Sequence, residues 1–218
     1  SKFGFMGILF YGFLFKTILK KLIPVVVTSR MTNLKNYRYL KIRPSEITDL
    51  WKKNLEKPNL EKANLLYIGR IKKEKGVFSL LKIVKDLSID FKLSIIGKNK
   101  KKISGIKNIK FYNETSNVKK IINFYDKNNI FILPSYTEGS PKVILESLSR
   151  LRPVIVFKEI SHVKANLKGI FVCERNIDEF QKTIKYILKN YTMIQFEIKK
   201  NKILSRKKFQ SDLIKIIK

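Results

Sequence analysis

Short apolar runs alternate with amphipathic stretches along the chain from residue 64 to residue 190. The apolar runs have the length of buried strands, whereas the stretches between them place apolar residues at helical spacing. This alternation predicts an α/β fold, a Rossmann-like parallel sheet with helices on both faces. The predicted strands are 65–68, 91–96, 109–112, 130–133, 154–157 and 169–172.

Helices are predicted between these strands and after the last one. Their expected ranges are 77–87, 118–125, 142–150 and 178–189, followed by two pieces over 192–218 with a break near Asn201. The side chains expected to face the core are Phe78, Leu81, Val84 and Leu87 in the first helix, and Val118, Ile121, Ile122 and Tyr125 in the second.

The N-terminal stretch 3–15 is continuously apolar, and Lys16, Lys20 and Lys21 follow it. Thirteen residues are too few to span a bilayer. The basic flank lies on the wrong side for a signal peptide. Two interpretations stay open, namely a basic apolar helix at a membrane surface and a core or interdomain helix.

Residues 23–63 form a transition to the alternating region. A buried strand is predicted over 23–28, a loop over 29–36 and a second strand over 37–43. Pro44 is expected to start a helix that runs to about Leu55, with Ser45 near its N-cap. The charged stretch 56–63 contains Pro58 and is the best candidate for a linker.

The net charge of +30 arises from 47 basic and 17 acidic residues. Such a balance raises the question of a nucleic-acid or membrane partner. Only eight of the basic residues are arginine, they are dispersed, and no nucleic-acid motif is present. We therefore expect no nucleic-acid partner, while binding to an anionic membrane surface stays open.

Cysteine and histidine are each present once, as Cys173 and His162. This excludes a disulfide framework and a thiol metal site, in keeping with a reducing, cytoplasmic compartment. Cys173 lies in an apolar run and is expected to be a small buried residue. Glu159 and His162 are expected to have surface or structural roles.

A strand–loop–helix–strand unit over 130–157 carries Glu138 and Glu146, eight residues apart. Glu138 lies in the loop, and Glu146 lies two turns inside a helix whose first turn is expected to hold Pro141. Both carboxylates can then face one pocket beyond the end of the strand. Acids on either side of a phosphate-binding turn suit a nucleotide sugar, which has hydroxyls at both ends and phosphate between them. The amides expected at the phosphates are those of Gly139, Ser140 and Lys142.

This unit resembles the donor-binding motif of the family 4 (group 1) glycosyltransferases, which are retaining enzymes of the GT-B fold. The motif is a Glu-x7-Glu pair followed by a Pro-Val-Ile strand. The matching residues here are Pro134, Ser135, Glu138, Gly139, Pro141, Val143, Glu146, Pro153, Val154 and Ile155.

A second constellation, GRIKKEKG, follows the first strand of the alternating region and opens its helix. It places Arg70 and Lys75 at the carboxyl edge of the sheet, where positive charge would stabilise a leaving diphosphate. The run resembles the Gly-Arg…Lys-Gly element of the same glycosyltransferases. Lys72 and Lys73 are expected to be solvated.

The resemblance implies a role for each matching residue. Arg70, Lys75 and Glu138 would be catalytic, the first two at the diphosphate and the third at the transferred sugar. Glu146 would bind the ribose, and no metal or other cofactor would be needed. The complete set of donor-binding residues implied is Gly69, Arg70, Lys75, Glu138, Gly139, Ser140, Val143 and Glu146.

The resemblance also implies a domain organisation and a set of partners. Residues 1–60 would be the end of an acceptor domain with its linker, 61–204 the donor-binding domain, and 205–218 a helix packing back on the acceptor domain. The implied activity is a hexosyltransferase-type transfer from a nucleotide sugar to a glycan or lipid-linked acceptor, in surface polysaccharide biosynthesis. The implied location is the cytoplasm, including the inner face of the cell membrane.

Two departures from the family pattern leave the base and the sugar open. Leu151 stands where the family usually has glycine, and FKEISHVKANLKG lacks the usual Gly-Gly-x-x-Glu turn. Three other functions also stay open: a non-catalytic donor-binding chain with a separate acceptor-domain partner, a basic membrane-surface module, and a different reaction such as epimerisation or phosphorolysis.

Overall fold

A computed structural model describes residues 25–26, 40–41, 44–98 and 107–217. The apolar stretch 3–15 and most of the Lys-rich stretch 98–107 lie outside these residues. Two short strands, β1 (Val25–Val26) and β2 (Leu40–Lys41), fall within the predicted strands 23–28 and 37–43 and pair in parallel. In the described part of the chain, no helix is long and apolar enough to cross a membrane.

A six-stranded parallel sheet forms the centre of the fold, with helices on both sides, so the predicted fold class is confirmed. The order of its strands is β5-β4-β3-β6-β7-β8. Their bounds are β3 Ala63–Ile68, β4 Phe91–Ile96, β5 Ile109–Tyr112, β6 Ile130–Leu133, β7 Val154–Phe157 and β8 Ile170–Cys173.

Six α-helices are present in the described ranges: α1 Val77–Lys85, α2 Val118–Lys127, α3 Lys142–Ser149, α4 Ile177–Lys189, α5 Tyr191–Lys199 and α6 Arg206–Ile217. Three 3-10 helices accompany them, at Asp49–Lys52, Lys73–Lys75 and Lys158–Lys164. The predicted break in the tail is confirmed, since α5 and α6 are separated by residues 200–205.

Burial of the central strands follows from the two layers of helices. Every residue of β6 and β7 is buried, as expected for parallel strands covered on both faces. Cys173 at the end of β8 is also buried, which confirms its expected role, and this burial raises the pKa of its thiol to about 12. The strand order reverses direction between β3 and β6, which makes this the topological switch point of the sheet.

The buried face of α1 is rotated from the predicted one, and the helix ends two residues early. Its buried residues are Val77, Leu80, Leu81 and Val84. Phe78 and Leu87 are only half-buried. The rotation is fixed at the start of the helix, where Gly76 lies directly against the carbonyl group of Pro134.

The predicted inward face of α2 is correct for Tyr125, which is fully buried, but wrong for Val118. Val118 is 39% exposed because it lies in the first turn, at the end of the helix opposite to Tyr125. Asn117 caps this turn, and its side chain accepts a hydrogen bond from the amide of Lys120.

The helix predicted over 44–55 is wrong, since the segment contains only the 3-10 helix Asp49–Lys52. The guanidinium of Arg150 donates hydrogen bonds to the carbonyls of Trp51 (3.1 Å), Lys53 (2.7 Å) and Asn54 (2.8 Å). Lys53, directly after the 3-10 helix, has an extended backbone (φ −89°, ψ 152°), so the helix ends there and Arg150 binds the carbonyls that follow. Ser45 does not cap a helix either, because its hydroxyl donates to the carbonyl of Leu204 at 2.6 Å.

Arg150 and Arg152 together form what we call the arginine clamp. Both side chains are almost fully buried, and Arg152 donates to the carbonyl of Glu56 at 2.9 Å. The buried carboxylate of Asp126 balances their charge, with 2.8 Å to Arg150 Nη2 and 3.8 Å to Arg152 Nη2. Leu151 between them adopts a left-handed φ of 57°, which explains why glycine is usual at this position in the resembled motif.

Candidate functional site

The candidate site lies at the carboxyl edge of the sheet, beside the switch point. The loop 69–76 follows β3, and the loop 134–141 follows β6. Because β3 and β6 are neighbouring parallel strands, both loops leave the sheet at the same edge. Ligands of open α/β sheets bind in the crevice at this position.

Gly76 fixes the contact between the two loops. Its backbone is left-handed (φ 65°, ψ 10°), and a Cβ added here would lie 1.8 Å from the carbonyl oxygen of Pro134. No other residue type can take this conformation at this distance without displacing the backbone. A hydrogen bond of 3.0 Å from the amide of Tyr136 to the carbonyl of Glu74 joins the same loops.

Lys75 and Glu138 form an ion pair across the junction of the loops. The distance from Lys75 Nζ to Glu138 Oε1 is 2.6 Å, and the side chains are 20% and 11% exposed. The hydroxyl of Ser135 donates to the same carboxylate oxygen at 2.7 Å. A partly buried pair of this kind is less screened by solvent than a surface pair. The structure thus brings a predicted diphosphate-binding cation next to a predicted sugar-binding carboxylate.

Arg70 lies on the same loop with an exposed side chain, and no ion pair involves it in the described part of the chain. Its backbone is fixed by Tyr67, whose hydroxyl donates to the Arg70 carbonyl at 2.8 Å. Burial, and next the negative charge of Glu138, raise the pKa of Tyr67, so this hydroxyl keeps its proton. A Cβ at Gly69 would lie 2.8 Å from the same hydroxyl, so any other residue there would displace the Tyr67 side chain.

Glu146 lies within α3, as predicted, and is half-buried. Its Oε2 accepts a hydrogen bond of 3.0 Å from the hydroxyl of Tyr125 on α2. Burial raises the pKa of Glu146, whereas the Tyr125 hydrogen bond and the charge of Lys142 act in the opposite direction and are outweighed. Among the residues that the structure describes, Tyr125 is therefore the side chain that holds this carboxylate by a hydrogen bond.

The start of α3 differs from the prediction by one residue. Pro141 has an extended backbone (φ −71°, ψ 117°) and is the N-cap, so the first turn begins at Lys142. Gly139 and Ser140 lie between Glu138 and this helix start, and both are half-buried. Val143 is half-buried in the first turn. The predicted donor-binding residues of this loop thus lead directly into the helix that carries Glu146.

His162 contacts the site through the backbone of Glu138. Its Nε2 lies 2.9 Å from the Glu138 carbonyl oxygen, so the ring donates an N–H to it. The residue belongs to the 3-10 helix Lys158–Lys164 after β7, at the same edge of the sheet. It holds the loop on which Glu138 is carried, which is a structural role close to the site.

Arg175 is a residue of this edge that sequence reasoning missed. Its guanidinium stacks over the rings of Tyr136 and Phe157, 4.1 and 4.2 Å from their centroids. It also donates to Glu159 at 2.7 Å and to the hydroxyl of Ser79 at 2.8 Å. Its position in the sequence could have indicated a role at the site. Arg175 comes two residues after β8, and a polar side chain at such a position reaches the carboxyl edge of a parallel sheet.

Solved structures of GT-B glycosyltransferases have a similar fold. WaaG, a glycosyltransferase involved in lipopolysaccharide biosynthesis, aligns over 88% of this chain and 62% of its own, with a TM-score of 0.66 and 17% identity. HepE from Anabaena, in complex with UDP and glucose, aligns over 89% of this chain and 62% of its own, with a TM-score of 0.65 and 9% identity.

The chain belongs to the family described as glycosyl transferases group 1, whose sequence model matches residues 49–208. An uncharacterised glycosyltransferase from Haemophilus influenzae is 27% identical over 143 residues, which is 58% of this chain and 39% of that protein. The chain therefore spans about two fifths of the length of this curated relative.

Proposed function

We propose that this chain is the nucleotide-sugar-binding part of a retaining, family 4 glycosyltransferase that transfers a hexose to a glycan or lipid-linked acceptor. The observation that carries the proposal is the Lys75–Glu138 pair at the switch point of the sheet. Membership of the group 1 family and the similarity to HepE, which was solved with UDP and glucose, support a nucleotide sugar as the donor.

The diphosphate would bind at the loop 69–76. In the transfer step the bond between the anomeric carbon and the diphosphate oxygen breaks, and negative charge develops on the leaving diphosphate. Lys75 and Arg70 would stabilise this charge, and an arginine can hold two phosphate oxygens at once. The backbone of Gly69 and the amides of Gly139 and Ser140 would complete the phosphate site. No metal is needed in this proposal, because the two cations take its role.

The two ends of the donor would be held by the two glutamates. Glu138 would accept hydrogen bonds from hydroxyls of the transferred sugar and so orient its anomeric carbon. Glu146 would accept hydrogen bonds from the ribose, next to the side chain of Val143. The Lys75 ammonium already lies beside Glu138, so a bound donor would place its diphosphate and its sugar on neighbouring groups.

The cellular role is part of the same proposal. WaaG acts in lipopolysaccharide biosynthesis, and a surface polysaccharide or lipid-linked glycan is the acceptor that we infer here. The reaction would take place in the cytoplasm at the inner face of the membrane, where the excess of lysine would favour anionic lipid. The acceptor would bind to a domain that precedes residue 61.

Calorimetric titration of this chain with UDP and GDP tests donor binding. We expect one of the two nucleotides to bind. Arg70→Ala and Glu146→Gln should each weaken the affinity for this nucleotide about ten- to a hundredfold, because each variant loses a charged hydrogen-bond partner of the ligand. The matched control is Lys73→Ala, which removes an exposed lysine of the same loop and should change affinity less than about twofold.

Other outcomes distinguish the remaining functions. Failure of both nucleotides to bind the parent chain contradicts the proposal, and salt-sensitive sedimentation with anionic liposomes would then favour a membrane-surface module. Binding without transfer, restored by a second co-purifying chain, would identify a donor-binding subunit. Consumption of the nucleotide sugar without an acceptor would indicate epimerisation or phosphorolysis. Retention is tested by the anomeric configuration of the product, measured by NMR.

A further inference from the structure

Tyr125 is the one partner that the structure gives to the Glu146 carboxylate by a side-chain hydrogen bond among the described residues. Its hydroxyl lies 3.0 Å from Glu146 Oε2 and 3.3 Å from the carbonyl oxygen of Val143. A phenol has a single proton and can donate to only one acceptor at a time. The shorter distance and the negative charge favour the carboxylate.

The ring of Tyr125 is held on two sides and cannot move away from Glu146. The side chain is fully buried. Trp51 packs against the ring edge-on with 5.8 Å between centroids, and Phe131 of β6 lies at 5.5 Å. Aromatic pairs at these distances define the ring orientation. The position of the phenol oxygen is therefore set by the core of the protein and by Trp51 of the segment 44–56.

We propose that Tyr125 is a positioning residue for the nucleotide: it fixes the rotation of the Glu146 carboxylate so that Oε1 faces the ribose of the donor. The proposal rests on the proposed function, since it assigns the second residue of the ribose subsite. A carboxylate has two oxygens with about four acceptor positions. With one position of Oε2 taken by Tyr125, the other oxygen is left for the ribose hydroxyls.

The hydrogen bond also affects the proton equilibrium of Glu146. The charged and titratable groups facing this carboxyl are Tyr125 on α2 and Lys142 on α3. Both favour the ionised form, against the burial that favours the neutral form. Removing the phenol hydroxyl therefore raises the pKa of Glu146 further, and the carboxylate that accepts ribose hydroxyls is lost at a higher pH.

Tyr125→Phe tests the proposal, because it removes the hydroxyl and keeps the ring. Titration of the 218-residue chain with UDP, or with GDP where UDP does not bind, should show about a tenfold loss of affinity at neutral pH. The pH at which affinity has fallen by half on acidification should move upward. The control is Tyr191→Phe, which removes another buried phenol, bonded to the carbonyl of Asn129 at 2.6 Å, and should change neither quantity.

A double-mutant cycle separates positioning from a general loss of stability. If Tyr125 acts through Glu146, Tyr125→Phe should weaken nucleotide binding by less than about twofold in a Glu146→Gln background. A tenfold loss in both backgrounds would overturn the inference, as would an unchanged affinity and pH profile in the single variant. Absence of nucleotide binding to the parent chain would remove the proposed function and this inference together, whereas sensitivity to Glu146→Gln alone would leave the proposed function standing.

Discussion

Lys75 and Glu138, which are 63 residues apart in the sequence, lie 2.6 Å apart at the carboxyl edge of the sheet. Each is predicted to bind a different part of the same donor. In the described structure they bind each other, so their charges are balanced and their side chains are held at the junction of the two loops. In the proposed function, a bound donor would separate this ion pair, with Lys75 at the diphosphate and Glu138 at the sugar.

Lys75→Ala should weaken binding of the nucleoside diphosphate by about tenfold or more, since a charged donor to phosphate is removed. It also leaves Glu138, which is only 11% exposed, without its counter-ion. Lys73→Ala is the matched control. Calorimetric titration at low and high salt measures the effect, and equal affinities of the two variants would argue against a role of Lys75 at the phosphates.

Gly76→Ala should destabilise the fold by about 2–4 kcal/mol, which combines the strain of a left-handed residue with overlap against backbone. The added Cβ would meet the Pro134 carbonyl oxygen at 1.8 Å. Urea unfolding measures the change, with the exposed neighbour Lys72→Ala as control. An unchanged free energy of unfolding in the glycine variant would mean that the two loops are not in contact as described.

Arg150→Met should destabilise the protein by about 3–5 kcal/mol, because it leaves the buried carboxylate of Asp126 without its closest cation. The matched control is Arg206→Met, which breaks a pair with Glu46 in which the arginine is 55% exposed. A surface pair of this kind contributes about 0–1 kcal/mol. Urea unfolding measures the free energy of unfolding of both variants. If the two variants lose the same amount, the buried Arg150–Asp126 pair contributes no more to stability than a surface pair.

Glu146→Gln should stabilise the unliganded protein at neutral pH while it weakens nucleotide binding. The folded-state pKa of Glu146 is raised above its ordinary value of 4.5, mainly by burial. Below the ordinary value the carboxyl is protonated in both folded and unfolded chains and costs nothing. As pH rises from this ordinary value to the raised pKa, the unfolded chain ionises more readily than the folded one, and the fold loses stability.

The difference in free energy of unfolding between Glu146→Gln and the parent should therefore be smallest near about pH 4 and grow toward about pH 7. Urea unfolding at several pH values gives this difference, and the acid end of the series serves as the internal control. A difference that is constant with pH, or that shrinks as pH rises, would contradict the assigned direction of the pKa shift.

The sheet was largely predictable from the sequence, because its strands are buried on both faces and so appear as uninterrupted apolar runs. β6 and β7 have the predicted bounds. Once the strands were known to be parallel, the loops 69–76 and 134–141 were bound to leave the sheet at the same edge. Their proximity could thus be inferred, although the assigned functions of their residues remain predictions.

Individual side-chain contacts between distant residues could not be predicted. The segment 44–55 has a proline and a serine in a typical helix-start arrangement, but Arg150 binds its carbonyls from nearly a hundred residues away. Tyr125 was expected to be buried, yet the pattern of one helix does not indicate that its hydroxyl meets Glu146 on another. Local propensity describes neither interaction, since the first depends on how the segment 44–55 packs against the end of α3 and the second on how α2 packs against α3.

The arginine clamp has a consequence for the smallest piece of this chain that can fold by itself. A fragment that begins at residue 61 would lack the carbonyls of Trp51, Lys53, Asn54 and Glu56. Arg150 and Arg152 would then lose the hydrogen bonds that they donate to these carbonyls. All of these bonds have a charged donor, and hydrogen bonds to charged groups contribute more to stability than neutral ones. Whichever domain residues 51–56 are assigned to, a fragment that keeps the arginine clamp intact must include them together with the six-stranded sheet.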